Sequence, residues 1–239
     1  MTLRRLLPVA LLALSLACQF ERLQQVRLTQ EMQILERAVA AGQVPPPLPR
    51  DRDRYGAYWP ILEHMHTQST RLQEASRQVE LLGKGDADAL RAERLVNPEH
   101  RRQEHERLGA LVRHLETALD AEDELVGAKG QAFIQSLPID AGFRKGLVDG
   151  VRGKGGTLDS LLGILRQKRD YYQRVEGIVA LADQGLEGLD PAGKLRFRTH
   201  EQVMAYLGGV TELLKAEQQL NTDVAKFRAQ RSGEASGRS

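Results

Sequence analysis

Residues 97–126 read NPEHRRQEHERLGALVRHLETALDAEDELV, and the reading of this stretch decides the fold. Asn97 is a residue type whose side chain accepts hydrogen bonds from the free N–H groups of a helix start. Pro98, with φ already fixed, suits the first helical position. Downstream, Leu108, Leu111, Val112, Leu115, Leu119 and Val126 recur at helical spacing. One apolar stripe on an otherwise charged segment is the pattern of an amphipathic helix packed on one side. The spacing predicts a helix from Pro98 almost to Pro138, the longest element of the chain.

The same period appears on both sides. Leu28, Met32, Leu35 and Val39 predict a helix over about 19–41, stopped at Gly42; Ile61, Met65, Leu72, Val79 and Leu82 predict another, ended by Gly83-Lys84-Gly85. A short helix is expected to follow Asp86 or Asp88 and to end near Val96, and Phe143 to Val151 reads as one more. Thr157 is expected to open a helix carrying Leu158, Leu161, Leu165, Tyr172, Val175, Val179 and Ala182, closed by Gly185. Thr199-His200-Glu201-Gln202 has the form of a capping box. It leads into Val203, Tyr206, Val210, Leu213, Leu220, Val224 and Phe227. Between the last two helices, residues 186–198 read as a loop with a short extended piece at Leu195-Arg196-Phe197-Arg198.

The segment 44–60, VPPPLPRDRDRYGAYWP, cannot be helical, because its prolines remove donors and fix φ. It reads as a stiff surface strap rather than a PxxP ligand, with Tyr55, Tyr58 and Trp59 pinning it onto the helices. The fold class is therefore all-α: an elongated bundle of about five to six helices with a proline-rich strap. The bundle domain is expected over 18–229, followed by a polar, disordered tail over 230–239.

The extreme N-terminus carries a different signal. Arg4 and Arg5 precede an uncharged run from Leu6 to Ala17, and Cys18 follows as the single cysteine of the chain. A charged start, a short apolar run and a small residue before the cut describe a secretory leader. As a helix that run reaches about 18 Å, against a bilayer core of roughly 30 Å. Leu14-Ser15-Leu16-Ala17-Cys18 resembles a bacterial lipobox, in which the cysteine becomes the first mature residue and carries lipid on sulfur. Residues 1–17 are thus expected to be a lipoprotein signal peptide and Cys18 the lipid attachment site. An ordinary secretory signal or a signal-anchor with an incidental cysteine is the plainer reading.

Removing the leader takes Arg4 and Arg5 and leaves 32 basic against 32 acidic residues. No segment concentrates Lys and Arg enough to bind a phosphate backbone, so nucleic acid is not an expected partner. Charged residues make up 28% of the chain and aromatics 5%, a composition of charged helices rather than of a β-sandwich.

Several motifs tempt and fail. GVRGKGGT (150–157) lacks the P-loop spacing, since the lysine position counted from Gly150 is Gly156. Gly142, Gly146, Gly150 and Gly153 form either a bare stripe open to another backbone or a flexible hinge. His105-Glu106 lacks a second ligand at Gly109, and His100, His105 and His114 do not converge. His64 and His66 diverge on a helix and could chelate only if that turn unwound. No catalytic residues, metal ligands or cofactor are expected.

The order of features resembles the YiaF-like family of uncharacterised bacterial lipoproteins. The resemblance rests on the lipobox cysteine, the strap with its Tyr55-Gly56 pair, the long helices, and a stretch formed by Phe197, Thr199, Gln202 and Tyr206. Arg198 stands where that family tends to have proline. The resemblance implies an envelope lipoprotein and supplies no mechanism. The expected function is a non-enzymatic scaffold or adaptor, held to a membrane by its N-terminal lipid and serving an envelope protein partner. The alternative is a periplasmic helical binding module for a small apolar ligand or metal ion. Gln19 after the cysteine, in place of the aspartate that retains enteric lipoproteins at the inner membrane, points to the periplasmic face of the outer membrane.

Overall fold

A computed structural model describes residues 7–41, 43–83, 89–153 and 155–236. The protein is a helical bundle with one small hairpin. In chain order its elements are α1 (Leu7–Ala40), α2 (Trp59–Leu82), α3 (Ala92–Leu95), α4 (Pro98–Val126), α5 (Ala128–Ser136), α6 (Ala141–Gly153), α7 (Gly155–Gly185), β1 (Leu186–Leu189), β2 (Leu195–Phe197) and α8 (His200–Ser236). The chain divides into two compact units: Met1–Gln73 with Ala121–Gly153, and Glu74–Asp120 with Lys154–Ser239.

In the first unit, α1 buries Leu28 and Leu35 on the expected stripe, with Met32 packed beside them. The helix is longer than the expected 19–41, running without a break from Leu7 through Cys18 to Ala40. Gly42, its expected stop, lies outside the described residues. The strap that follows has no regular structure over 43–50 and then makes two 3-10 turns, Arg52–Arg54 and Gly56–Tyr58. Tyr55, Tyr58 and Trp59 are buried with Ile61 and Leu62 of α2 and with Leu137 and Ile139. The aromatics do pin the strap.

The long helix expected to approach Pro138 is broken. Gly127 adopts an extended conformation between α4 and α5, and the two helices come so close that side chains are excluded. A Cβ on Gly127 would meet the Asp123 carboxylate, and one on Gly130 would lie 2.5 Å from the Glu124 carbonyl oxygen. An isolated glycine in a helical pattern reads as tolerated; here two of them permit a close backbone crossing. That break helps to raise the helix count among the described residues to eight, above the five or six expected. Asp140 then caps α6 by accepting the Phe143 N–H at 2.7 Å.

Gly146 and Gly150 of α6 have nothing within 4 Å of a Cβ built on them, so at these two positions the glycine stripe is bare and no backbone packs on it. The contrast with Gly130 gives opposite expectations for one substitution. Gly146→Ala and Gly150→Ala should each raise stability by about 1 kcal/mol through helix propensity. Gly130→Ala should lower it by about 1–3 kcal/mol, because a backbone carbonyl must move. Thermal melts followed by circular dichroism would separate the two signs.

In the second unit, Leu108, Leu111 and Leu115 of α4 pack with Tyr172, Val175, Ile178, Val179 and Ala182 of α7 and Leu213 of α8. Asn97 caps α4 as expected, accepting from the Glu99 and His100 N–H groups at 3.0 and 3.3 Å. The short third helix begins only at Ala92, after an extended Arg91; Asp86 and Asp88 lie outside the described residues. The capping box at the start of α8 closes in both directions: the Thr199 N–H donates to Gln202 and the Gln202 N–H to Thr199, each at 3.2 Å. α8 continues to Ser236, past the point where the polar tail was expected to begin.

Two expectations need correction here. The glycine-rich stretch 150–157 is helical on both sides of residue 154, with Gly153 ending α6 and Gly155 opening α7. Residues 186–197 are an antiparallel hairpin rather than a loop with one extended piece. Asp190 makes its turn, accepting at 2.8 Å from both the Ala192 and the Lys194 N–H, with Gly193 at φ +76°. Phe197 then buries against Tyr206, ring centroids 5.2 Å apart.

Candidate functional site

Cys18 lies in α1, and the helix beyond it shows how its two faces differ. On the inner face, Gln25 donates to the Tyr58 hydroxyl at 2.7 Å, and Tyr58 donates to Glu21 at 2.8 Å. About two turns beyond Gln25, Tyr55 donates to Glu31 at 3.1 Å. Burial raises the pKa of both phenols, and the neighbouring carboxylates add to it, so both remain donors at neutral pH. The tyrosines thus draw the glutamates of α1 toward the core. The outer face carries Phe20, Leu23 and Val26, each more than half exposed.

Trp59 is 8% exposed and lies under the Arg52 guanidinium, 5.1 Å from the ring centroid. Pro46 gives its carbonyl to His66 at 2.8 Å. His64 turns elsewhere, contacting the Glu124 carbonyl oxygen at 2.8 Å and stacking on Phe133 at 4.1 Å. The two histidines therefore serve separate packing contacts. Among the described residues no group of three or more His, Cys, Asp or Glu is placed to hold a metal ion.

One polar cluster escapes the sequence reading. On α4, Arg101 donates to Asp183 of α7 and, at 2.5 Å, to the Leu95 carbonyl at the end of α3. His105 contacts the other Asp183 oxygen at 2.8 Å and lies 4.0 Å from Glu176. Arg107 pairs with Glu104 at 2.8 Å and donates to the Leu82 carbonyl at the end of α2 at 2.6 Å. Both arginines thus satisfy carbonyls that a helix C-terminus leaves free, where positive charge also complements the helix dipole. Burial pushes the Asp183 pKa up, but the hydrogen bonds from Arg101 and His105 outweigh it and hold the carboxyl below its ordinary value. The geometry of the cluster ties three helix ends together, and no local motif announces it, because Asp183 lies 82 positions from Arg101.

α8 is the remaining feature. Its expected stripe is turned inward: Leu213 is buried, and Val203, Tyr206, Val210, Leu220, Val224 and Phe227 are half-buried. A second stripe, at alternating steps of three and four, runs Met204, Leu207, Thr211, Leu214, Gln218, and all five are exposed. Met204, Leu207 and Leu214 are 56%, 51% and 60% exposed. This is the spacing of an a/d seam that pairs one helix with another.

Among the described residues no helix is long and apolar enough to cross a membrane. Comparison with protein-family models, curated proteins and solved structures finds no match.

Proposed function

We propose that the protein is a bacterial envelope lipoprotein, anchored by lipid on Cys18 and acting as a non-enzymatic scaffold or adaptor for another envelope protein. The observation that carries the adaptor reading is α8, whose Met204–Leu207–Leu214 seam stands open while its other stripe packs on α7. A seam of that spacing suits a partner helix better than a small apolar ligand, which needs an enclosed pocket. The anchor reading is supported by the lipobox-like stretch Leu14 to Cys18. The likeness to YiaF-like lipoproteins supports a place in the envelope, and Gln19 after the cysteine supports the periplasmic face of the outer membrane.

Two measurements test it. Cys18→Ser should abolish lipid labelling in a bacterial host, and the mature N-terminal peptide should begin at a diacylated Cys18. A peptide starting elsewhere and unmodified ends the lipoprotein reading. Leu207→Glu with Leu214→Glu should then remove cross-links to envelope proteins without lowering the melting temperature. Cross-links that persist unchanged would end the reading of α8 as the adaptor surface.

A further inference from the structure

The outer face of α1 is a second apolar face left open among the described residues. At 100° per residue, Phe20, Leu23, Val26, Arg27 and Ile34 fall within an arc of about 120°, centred roughly 120° from the buried Gln24, Leu28 and Leu35. Phe20, Leu23 and Val26 are 56%, 53% and 54% exposed. α1 is unbroken through Cys18, so Val26 stands only about 12 Å along the helix from the cysteine. The charges complement an anionic surface. Glu21 and Glu31 are held by Tyr58 and Tyr55, while Arg22 and Arg27 form no ion pair among the described residues. Large apolar side chains beside unpaired arginines, on a helix that also packs on protein, are what a helix needs to lie in the headgroup region.

We infer that the first turns of α1 after Cys18 lie in the membrane interface, with Phe20, Leu23 and Val26 inserted among the acyl chains and Arg22 and Arg27 on lipid phosphates. The inference rests on the lipid-anchor reading and goes beyond it: the lipid would be a second contact rather than a leash, fixing the first unit against the bilayer. A single acyl chain binds a membrane only marginally, and an apolar face beside the anchor adds to whatever lipid Cys18 carries.

The test uses the full chain purified from a bacterial host and reconstituted into vesicles of phosphatidylethanolamine and phosphatidylglycerol. Leu23→Cys and Val26→Cys carry a nitroxide, and Glu116→Cys on α4, also exposed, is the reference. Collision rates with oxygen and with a water-soluble nickel chelate report depth. Positions 23 and 26 are expected to lose nickel accessibility relative to 116 and to gain oxygen accessibility. Nickel accessibility equal to that at 116 would overturn the inference, and so would spin–spin broadening between copies at position 23, which would assign the face to a second chain. Mass spectrometry of the same sample separates the two readings. Diacylated Cys18 with water-exposed 23 and 26 sinks the face and keeps the anchor; unmodified Cys18 sinks the anchor and this placement with it.

Discussion

Tyr58→Ala is expected to cost about 3–5 kcal/mol, the range for removing a large buried aromatic side chain. The position concentrates several supports. Tyr58 is 1% exposed, meets Phe143 of α6 edge to face with centroids 5.2 Å apart, and joins α1 through its hydrogen bonds with Gln25 and Glu21. Tyr58→Phe keeps the ring and removes only the hydroxyl, which makes two hydrogen bonds, one of them to a carboxylate, so it should cost about 2 kcal/mol. The difference measures how much of the clamp is packing. Denaturant unfolding followed by fluorescence of Trp59, the single tryptophan and a member of the same cluster, would report the first unit directly. Equal effects of the two substitutions would mean that the hydroxyl network, and not the ring, holds the strap to α1.

The strap also shows what the sequence made legible. Prolines keep 44–50 out of helix, and the aromatics clustered after them have few places to go except inward, so the break and the burial of Tyr55, Tyr58 and Trp59 were readable. The non-helical reading extended too far: 52–58 form two 3-10 turns, and α2 starts at Trp59 with Pro60 in its first turn, where proline forfeits no hydrogen bond. Helix starts were readable wherever a side chain makes the cap, as at Asn97 and Thr199. Helix interruptions were not readable where backbone proximity decides them. Gly127 and Gly130 matter because of the carbonyl of Glu124 and the side chain of Asp123 beside them, and spacing along the chain says nothing about that approach. The hairpin at 186–197 was hidden for a related reason: its strands are too short to show alternation, and Asp190 supplies the order from within the turn. The Arg101–Asp183–His105 cluster joins residues far apart in sequence, whose types are those of any charged helix surface. Each open face was half visible. On α8 the inward stripe from Val203 to Phe227 was readable, whereas the 3-4 spacing from Met204 to Leu214 stands out as an open face only once the first stripe is packed.

Arg101→Gln should lower the stability of the second unit by about 2 kcal/mol at neutral pH, and the loss should shrink in acid. Arg101 is 8% exposed, and its guanidinium serves Asp183 and the Leu95 carbonyl together. Breaking a fully buried ion pair costs about 3–5 kcal/mol, but the Asp183 side chain is 41% exposed, and water can solvate the orphaned carboxylate, which brings the figure down. The sign of the pH effect follows from linkage. The folded pKa of Asp183 lies below its ordinary value of 3.8, so the native state binds the proton less readily than the unfolded chain. The stability this contributes is fully present above about pH 4 and disappears as pH falls through the folded value. Glu122 works in the opposite direction. It is 6% exposed and burial alone raises its pKa, so its charged form weakens the fold at neutral pH and protonation relieves it. An acid titration of the wild type therefore mixes a loss at Asp183 with a gain at Glu122. The difference between wild type and Arg101→Gln cancels the Glu122 contribution and leaves the part of the Asp183 contribution that Arg101 supplies, since His105 stays in both. Calorimetric melts of both proteins between pH 7 and pH 3 should show the gap in melting temperature narrowing below pH 4. A gap that stays constant across that range would mean that Arg101 acts through the Leu95 carbonyl and its packing, with no net contribution from the ion pair.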